Sequence, residues 1–372
     1  MVSSRRAVAT AFLLHGVMAG TFAARIPAIQ ERLDLSPGRL GLALLMIGAG
    51  CVTTMHAGVL LGDRIGRRNV LLGGFLVWAI SLPFAGLVPG FGWLLLVMYV
   101  GGVMGGNVDV AMNSLGVFVE RAAGRSVMAG LHGLWSVGGI VGAGVAAIAA
   151  HMGISPAAHF ALAGLTVAVI AVFTRKDWPA RVTSSGAGHL TWPGRRVIVV
   201  GAIAFIAVLA EASGQDWSGV FLRDQTASSQ AVAALGPLMV AASMAIGRLL
   251  GDTVVVRIGS SATVRIGGLV AVGGAAVTIV AQSPAVGLLG FWLLGFGVSV
   301  VVPLAFAAAG RMGDDPGHHI AAVATLGYGA GMAAPAIVGT IAEFSSIRAG
   351  FGAIGILAFM IVLLAGRLDA AV

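Results

Sequence analysis

An aspartate in the middle of an apolar run is the first group in this chain with chemistry to offer. Asp109 lies in GGVMGGNVDVAMNSLG, residues 101–116. Helical spacing puts Gly102, Gly105 or Gly106, Asp109, Asn113 and Gly116 on one face, so one acid and one amide sit among residues small enough for another backbone to approach. Desolvation works against the charged form of an acid in such surroundings, which suits a site where a proton is taken up and released. An ionisable residue inside a membrane span costs roughly 2.5–3.5 kcal/mol and is a functional candidate by default. Few others qualify. Glu211 lies in LAEASGQDWSG with Gln215 one turn on, and Arg25 lies at a similar height in the first apolar run, so an Arg25–Glu211 pair is expected, at the substrate or at an outer gate. Asp216 and Trp217 read as interfacial. Asn107, His132, Trp135 and Tyr328 are candidate substrate contacts, the two larger rings as stacking platforms, with His15 as a titratable neighbour. No nucleophile–base pair, H-E-x-x-H spacing or phosphate-cradling loop occurs, so no catalytic residue, metal site or cofactor is expected.

The elements that must carry these residues follow from composition. The chain of 372 residues is 58% hydrophobic and 10% charged, against about 25% charged in soluble domains. Its apolar runs reach roughly 20 residues, enough to cross a bilayer as helices, and the ~10-residue alternating segments of a barrel are missing. Spans are expected near 7–28, 38–62, 69–88, 92–118, 127–150, 156–174, 197–218, 229–251, 262–281, 285–308, 318–341 and 346–366: an all-α integral membrane protein with twelve transmembrane helices. The basic start at Arg5 and Arg6 reads as the flank of a retained first helix, because the run after it is too long for a signal peptide.

Net charge is +8, which raises nucleic acid as a partner, but the distribution answers differently. With both termini in the cytoplasm, seventeen of the 22 Lys and Arg fall inside. Arg32, Arg39, Arg223 and Arg348 fall outside, and Arg25 lies near the outer end of span 1. That is the positive-inside bias, so the charge reports topology. Cys51 is the one cysteine, which excludes an internal disulfide.

The polar stretch RKDWPARVTSSGAGHLTWPGRR, residues 175–196, reads as a cytoplasmic linker between bundles of six spans, 1–174 and 197–372. The halves repeat an element. Gly58-Val-Leu-Leu-Gly-Asp63 ends span 2, and Gly247-Arg-Leu-Leu-Gly-Asp252 ends span 8. The second is expected to open a longer loop, since Gly66 follows Asp63 by three residues and Gly259 follows Asp252 by seven. Two pseudo-symmetric six-helix bundles with a repeated element fit transporters that hold substrate at the repeat interface.

GVLLGDRIGRR resembles the signature loop between helices 2 and 3 of the major facilitator superfamily, and GRLLGD looks like its degenerate copy. FAARIPAIQERL, DVAMNSLGV, LHGLWSVGG and TLGYGAGMAAP are similar to a bacterial subgroup near the fucose-permease-like proteins. The resemblance implies a cytoplasmic latch: Asp63 facing the start of helix 11 near 317–321, and Asp252 facing the start of helix 5 near Ser126. Arg64, Gly66, Arg67 and Gly251 belong to the same elements, and Gly58 and Gly62 permit close approach. It also places proton coupling on Asp109, with Glu211 as a second candidate. Span 4 lacks an arginine and span 5 lacks the Gly-Pro pair that proton-coupled drug exporters of the superfamily carry, and span 10 has no counterpart to Asp109. The expected function is secondary transport of a small polar solute, a sugar or related metabolite, by a proton-coupled monomer in the bacterial inner membrane. Proton antiport of an amphiphilic compound is the alternative, and a membrane enzyme or sensor is a third class.

Overall fold

The computed structural model describes residues 2–124, 127–179, 194–312 and 316–369, and within them all side chains except those of 2, 3, 55–60, 63, 129, 252, 316 and 317. The chain divides into two compact units, residues 1–186 and 187–372. Among the described residues all regular structure is helical. The first unit holds α1 (Val2–Ala23), α2 (Ile26–Leu33), α3 (Pro37–Ile65), α4 (Arg67–Ala85), α5 (Phe91–Ala123), α6 (Met128–His151) and α7 (Pro156–Thr174). The second holds α8 (Arg195–Thr226), α9 (Gln230–Ile258), α10 (Ser260–Val280), α11 (Pro284–Val298), α12 (Val301–Ala309), α13 (Pro316–Phe344) and α14 (Ile347–Leu364). These helices supply twelve segments long and apolar enough to cross a membrane, α1 with α2 and α11 with α12 each forming one.

Helix starts at the end far from the termini carry a common signal. Ser36, Ser155, Ser229 and Ser346 precede α3, α7, α9 and α14, and each accepts a hydrogen bond from a first-turn amide, which satisfies a donor the helix leaves unpaired. The same end explains four of the five arginines that break the charge bias. Arg32 donates to the Val88 carbonyl at 2.8 Å beyond α4, Arg348 to the Ile279 and Ala281 carbonyls around the end of α10, Arg223 to Ser228 beyond α8, and Arg25 to Ile154 beyond α6. Helix C-termini carry partial negative charge and unpaired carbonyls, so each cation answers a local need.

Glycine sets the helix seams. A Cβ at Gly102 would stand 2.1 Å from the Ile47 carbonyl oxygen, joining α5 to α3, and one at Gly20 would stand 2.1 Å from that of Gly139, joining α1 to α6. Small residues serve membrane packing this way because lipid offers no hydrophobic drive between helices. In the second unit Phe221, Phe291 and Phe351 meet edge to face with centroids 5.1–5.7 Å apart, tying α8, α11 and α14 together.

Two expectations need correction. The start of the supposed linker belongs to the first unit: 175–177 form a 3-10 turn, and Trp178, buried, donates from Nε1 to the Ala7 carbonyl at 3.0 Å. The rest of that stretch, residues 180–193, lies outside the described residues. Nor does the second repeat open a longer loop. α3 and α9 both have 29 residues, and each ends on a glycine with positive φ, Gly66 at 88° and Gly259 at 80°. The four extra residues continue α9 by one turn, so Gly247–Asp252 sits about 6 Å further from its helix end than Gly58–Asp63 does.

Candidate functional site

Asp109 is half-buried near the middle of α5, about 27 Å along it from Phe91. Asn113, one turn on, donates from Nδ2 to its Oδ1 at 3.1 Å and to its backbone carbonyl at 2.9 Å. No cation lies within ion-pair distance of it among the described residues. His15 on α1 and Cys51 on α3 lie within electrostatic range of the carboxylate, so three helices converge on it. The glycine face around it is shared out: Gly102 and Gly106 lie against α3, Gly105 lies beneath the Trp78 indole of α4, and Gly116 meets Met128 and Leu131 of α6.

Beside Asp109 is a ring cluster that the sequence names only in part. Trp135 donates from Nε1 to His15 Nδ1 at 2.7 Å, and the ring of His15 also faces the Gly105 carbonyl. Trp78, which spacing did not single out, lies 5.2 Å from His15 between centroids. His132, exposed, meets Phe12 edge to face at 5.2 Å. His15 on α1 thus accepts from α6 through Nδ1 while its ring faces α5 at Gly105. Asn107 is not part of this site. It stands about 200° from Asp109 around α5, is buried, and donates to the Val103 carbonyl of its own helix at 3.0 Å.

Arg25 and Glu211, expected to face each other, each have a partner within their own unit. Arg25 is 2% exposed and donates from Nη2 to the Ile154 carbonyl. Glu211 on α8 pairs with Arg248 on α9, its Oε2 3.4 Å and Oε1 3.5 Å from Nη2. Arg248, one of the seventeen charges assigned to the cytoplasmic side, lies 18 residues into α9 and 10 from its end, within the membrane-crossing segment. Its Nε donates to the Ser299 carbonyl at 3.4 Å, where α11 breaks from α12. The break follows from sequence: the amide that would bond Ser299 belongs to Pro303, which has none. Gly247 and Gly251 make room for it, since a Cβ at either would stand 2.1 Å from Ser299 Oγ or 2.7 Å from Val300 Cγ1. Gln215 and Asp216, further along α8, are half-buried. Tyr328 on α13 is 58% exposed, and Gly327 and Gly331 beside it lie near Val208 of α8.

In the repeated element, the side chains of Asp63 and Asp252 lie outside the described residues, and nothing is described at Gly58 beyond its place in α3. Arg64 is exposed. Arg67, read as a topological charge, is 2% exposed, lies across Gly62 and reaches Ser114 Oγ at 3.5 Å. Its role is therefore in part packing, and the space at Gly62 is filled by this side chain.

Comparison with known proteins agrees with this architecture. The model of the Major Facilitator Superfamily matches residues 8–335. An uncharacterized transporter, y4wD, of Sinorhizobium fredii is 34% identical over 97% of each chain. Membrane protein MosC of Rhizobium meliloti is 26% identical over 91% of this chain and 83% of its own. Among solved structures, a variant of the nucleoside transporter NupG superposes with a TM-score of 0.79 at 13% identity over 99% of each chain. A bacterial homolog of the human lysosomal transporter Spinster, inward-facing and occupied, gives 0.74 at 14% over 98% of this chain and 95% of its own. These likenesses show the fold. The chain belongs to the major facilitator superfamily: it is a multi-pass membrane transporter and not an enzyme.

Proposed function

We propose that this member of the superfamily is a proton-coupled secondary transporter that moves a small polar solute across the bacterial inner membrane by alternating access of its two units, working as a monomer. The observation that carries the reading is Asp109, an acid near mid-helix with an amide for a partner and, among the described residues, no cation. His15 from α1 and Cys51 from α3 lie near it, and around His15 stand Trp78 from α4 and Trp135 and His132 from α6. Coupling is placed on Asp109 in preference to Glu211 on grounds of charge balance: proton uptake at Glu211 would leave Arg248 uncompensated inside a span, whereas uptake at Asp109 removes a lone charge. Asn113, His132, Trp135, Gln215 and Tyr328 are assigned to the solute, and Asp63, Arg64 and Asp252 to the latch that opens and closes with the cycle. A nucleoside transporter of the same fold is a precedent for a small polar solute.

The test compares wild type and Asp109→Asn, purified in detergent, against pools of a bacterial metabolite extract at pH 5.5 and 7.5. Thermal stabilisation is the readout, since bound ligand raises apparent stability by mass action. A pool that stabilises the wild type in a pH-dependent way, and the variant without that dependence, supports coupling at Asp109. Equal pH dependence in both proteins removes Asp109 from the coupling.

A further inference from the structure

We infer that Arg248 is the recognition residue for a carboxylate on the transported solute, and that Glu211 is the resident counter-ion this carboxylate displaces. The inference rests on the transport reading above and narrows its substrate to small organic monoanions.

Placement is the first argument. Among the described helices of the second unit, Arg248 is the one Lys or Arg more than six residues from both ends of its helix. A guanidinium at that depth faces a bundle interior or a water-filled cavity, where it has a partner or a task. The second argument is how loosely it is held. Among the described residues its hydrogen bonds all lie at 3.4–3.5 Å, to Glu211 and to the Ser299 carbonyl, the long limit of a hydrogen bond. Arginines committed to structure in this chain differ: Arg348 holds Gln225 Oε1 at 2.8 Å and the Ala281 carbonyl at 2.7 Å while lying over the Phe221 ring. Arg248 presents five N–H donors, and its Nη1 has no partner among the described residues, with the side chain 34% exposed.

Its surroundings are also built. Pro303 frees the Ser299 carbonyl that orients Nε, and Gly247 and Gly251 admit the broken span. A guanidinium fork matches a carboxylate with two parallel hydrogen bonds, a better fit than the contact with Glu211, in which both carboxylate oxygens share the single nitrogen Nη2. One cation suits one negative charge, which favours a carboxylate over a phosphate dianion. Around Glu211, α9 contributes Arg248, α11 and α12 contribute no titratable side chain, and α13 brings Tyr328 near its depth. Among the described residues no second cation stands within ion-pair distance of Glu211, so once displaced its negative charge opposes the ligand's.

The experiment divides a bacterial metabolite extract on an anion-exchange resin at pH 7 into flow-through and salt-eluted pools, desalts them, and measures thermal stabilisation of the full-length protein. Stabilisation is expected from the retained pool, lost when its carboxylates are converted to amides, and kept after phosphatase treatment. Glu211→Gln is expected to bind the retained pool at least about tenfold more tightly. Arg248→Gln alone leaves Glu211 uncompensated and is prone to misfold, so the double variant E211Q/R248Q, neutral and of similar shape, serves as the folded control and is expected to lose at least about tenfold in affinity. Stabilisation by the flow-through pool overturns the carboxylate while leaving the transport reading intact. Retention of activity after amidation, or weaker binding by Glu211→Gln, also overturns the inference, the latter by placing Glu211 on the ligand. Stabilisation by neither pool overturns both readings.

Discussion

Replacing Pro303 by alanine separates what the broken span does for stability from what it does for Arg248. Pro303 withholds the amide that would bond Ser299, and Arg248 Nε takes the freed carbonyl at 3.4 Å. Alanine restores that amide and removes the ring that crowds the same carbonyl, together worth about 3 kcal/mol in a helix interior. Two terms oppose the gain. The guanidinium loses a long and therefore weak hydrogen bond, about 0.5–1 kcal/mol. The close fit of Gly247 and Gly251 against Ser299 and Val300 limits straightening, so strain of roughly 0.5–1 kcal/mol is expected. The balance is a stabilisation of about 1–2 kcal/mol, read as a rise of roughly 1–3 °C in the unfolding temperature, with weaker binding of any ligand that Arg248 holds. The assay is thermal unfolding of wild type and Pro303→Ala in one detergent, with and without a stabilising metabolite pool. A variant that melts below the wild type would refute the reasoning about the freed carbonyl. One that gains stability yet binds unchanged would show that Arg248 does not depend on it.

Neighbouring glycines of α5 should respond with opposite signs. Gly102→Ala drives a methyl to 2.1 Å from the Ile47 carbonyl oxygen and should cost about 1–3 kcal/mol or more, while Gly101→Ala, whose nearest neighbour is Trp78 Nε1 at 3.9 Å, should be neutral or stabilising by up to about 1 kcal/mol; equal melting temperatures would disprove the seam. Glu120→Ala removes the carboxylate that accepts from the Val127 and Met128 amides at 2.8 and 2.9 Å, and should lower stability by about 1–2 kcal/mol, with α6 losing hydrogen-exchange protection at its start first. Trp135→Phe keeps the ring and removes the donor to His15 at 2.7 Å. It should cost about 1 kcal/mol and shift the NMR titration of His15, and an unchanged titration would mean that the bond does not bias the imidazole.

The spans were readable because lipid leaves no choice: an apolar run of about 20 residues must satisfy its own backbone, and a helix does so. Asp109 was readable for a related reason, as a charge inside such a run advertises itself. Partners were another matter. Arg25 looked like half of an ion pair because its depth matched that of Glu211, but its partner is a backbone carbonyl at Ile154, and every residue has a carbonyl, so nothing in sequence marks that one. The same holds for Arg32 and Arg348, whose positions ran against the charge bias until the helix ends they serve were known.

Arg248 shows where a finer reading would have succeeded. The five letters that GVLLGD and GRLLGD share invite an alignment by motif, and that alignment sets Arg248 opposite Val59, seven residues before Gly66. Aligned by the glycines that end the helices, Gly66 and Gly259, the motif shifts by four residues, one turn. A turn is the natural unit of such a shift, because it moves residues along a helix while nearly preserving the face they present. So the second copy keeps its small-residue face, with Gly247 and Gly251 four apart, yet brings it to the level of Ser299 and Val300. The same displacement delivers Arg248 to Glu211. Pro303 then completes the arrangement by supplying the carbonyl that holds the guanidinium. Motif identity and structural register thus part company in the half of the molecule that lacks a counterpart to Asp109, and the difference places an ion pair in the second unit where the first has a lone acid.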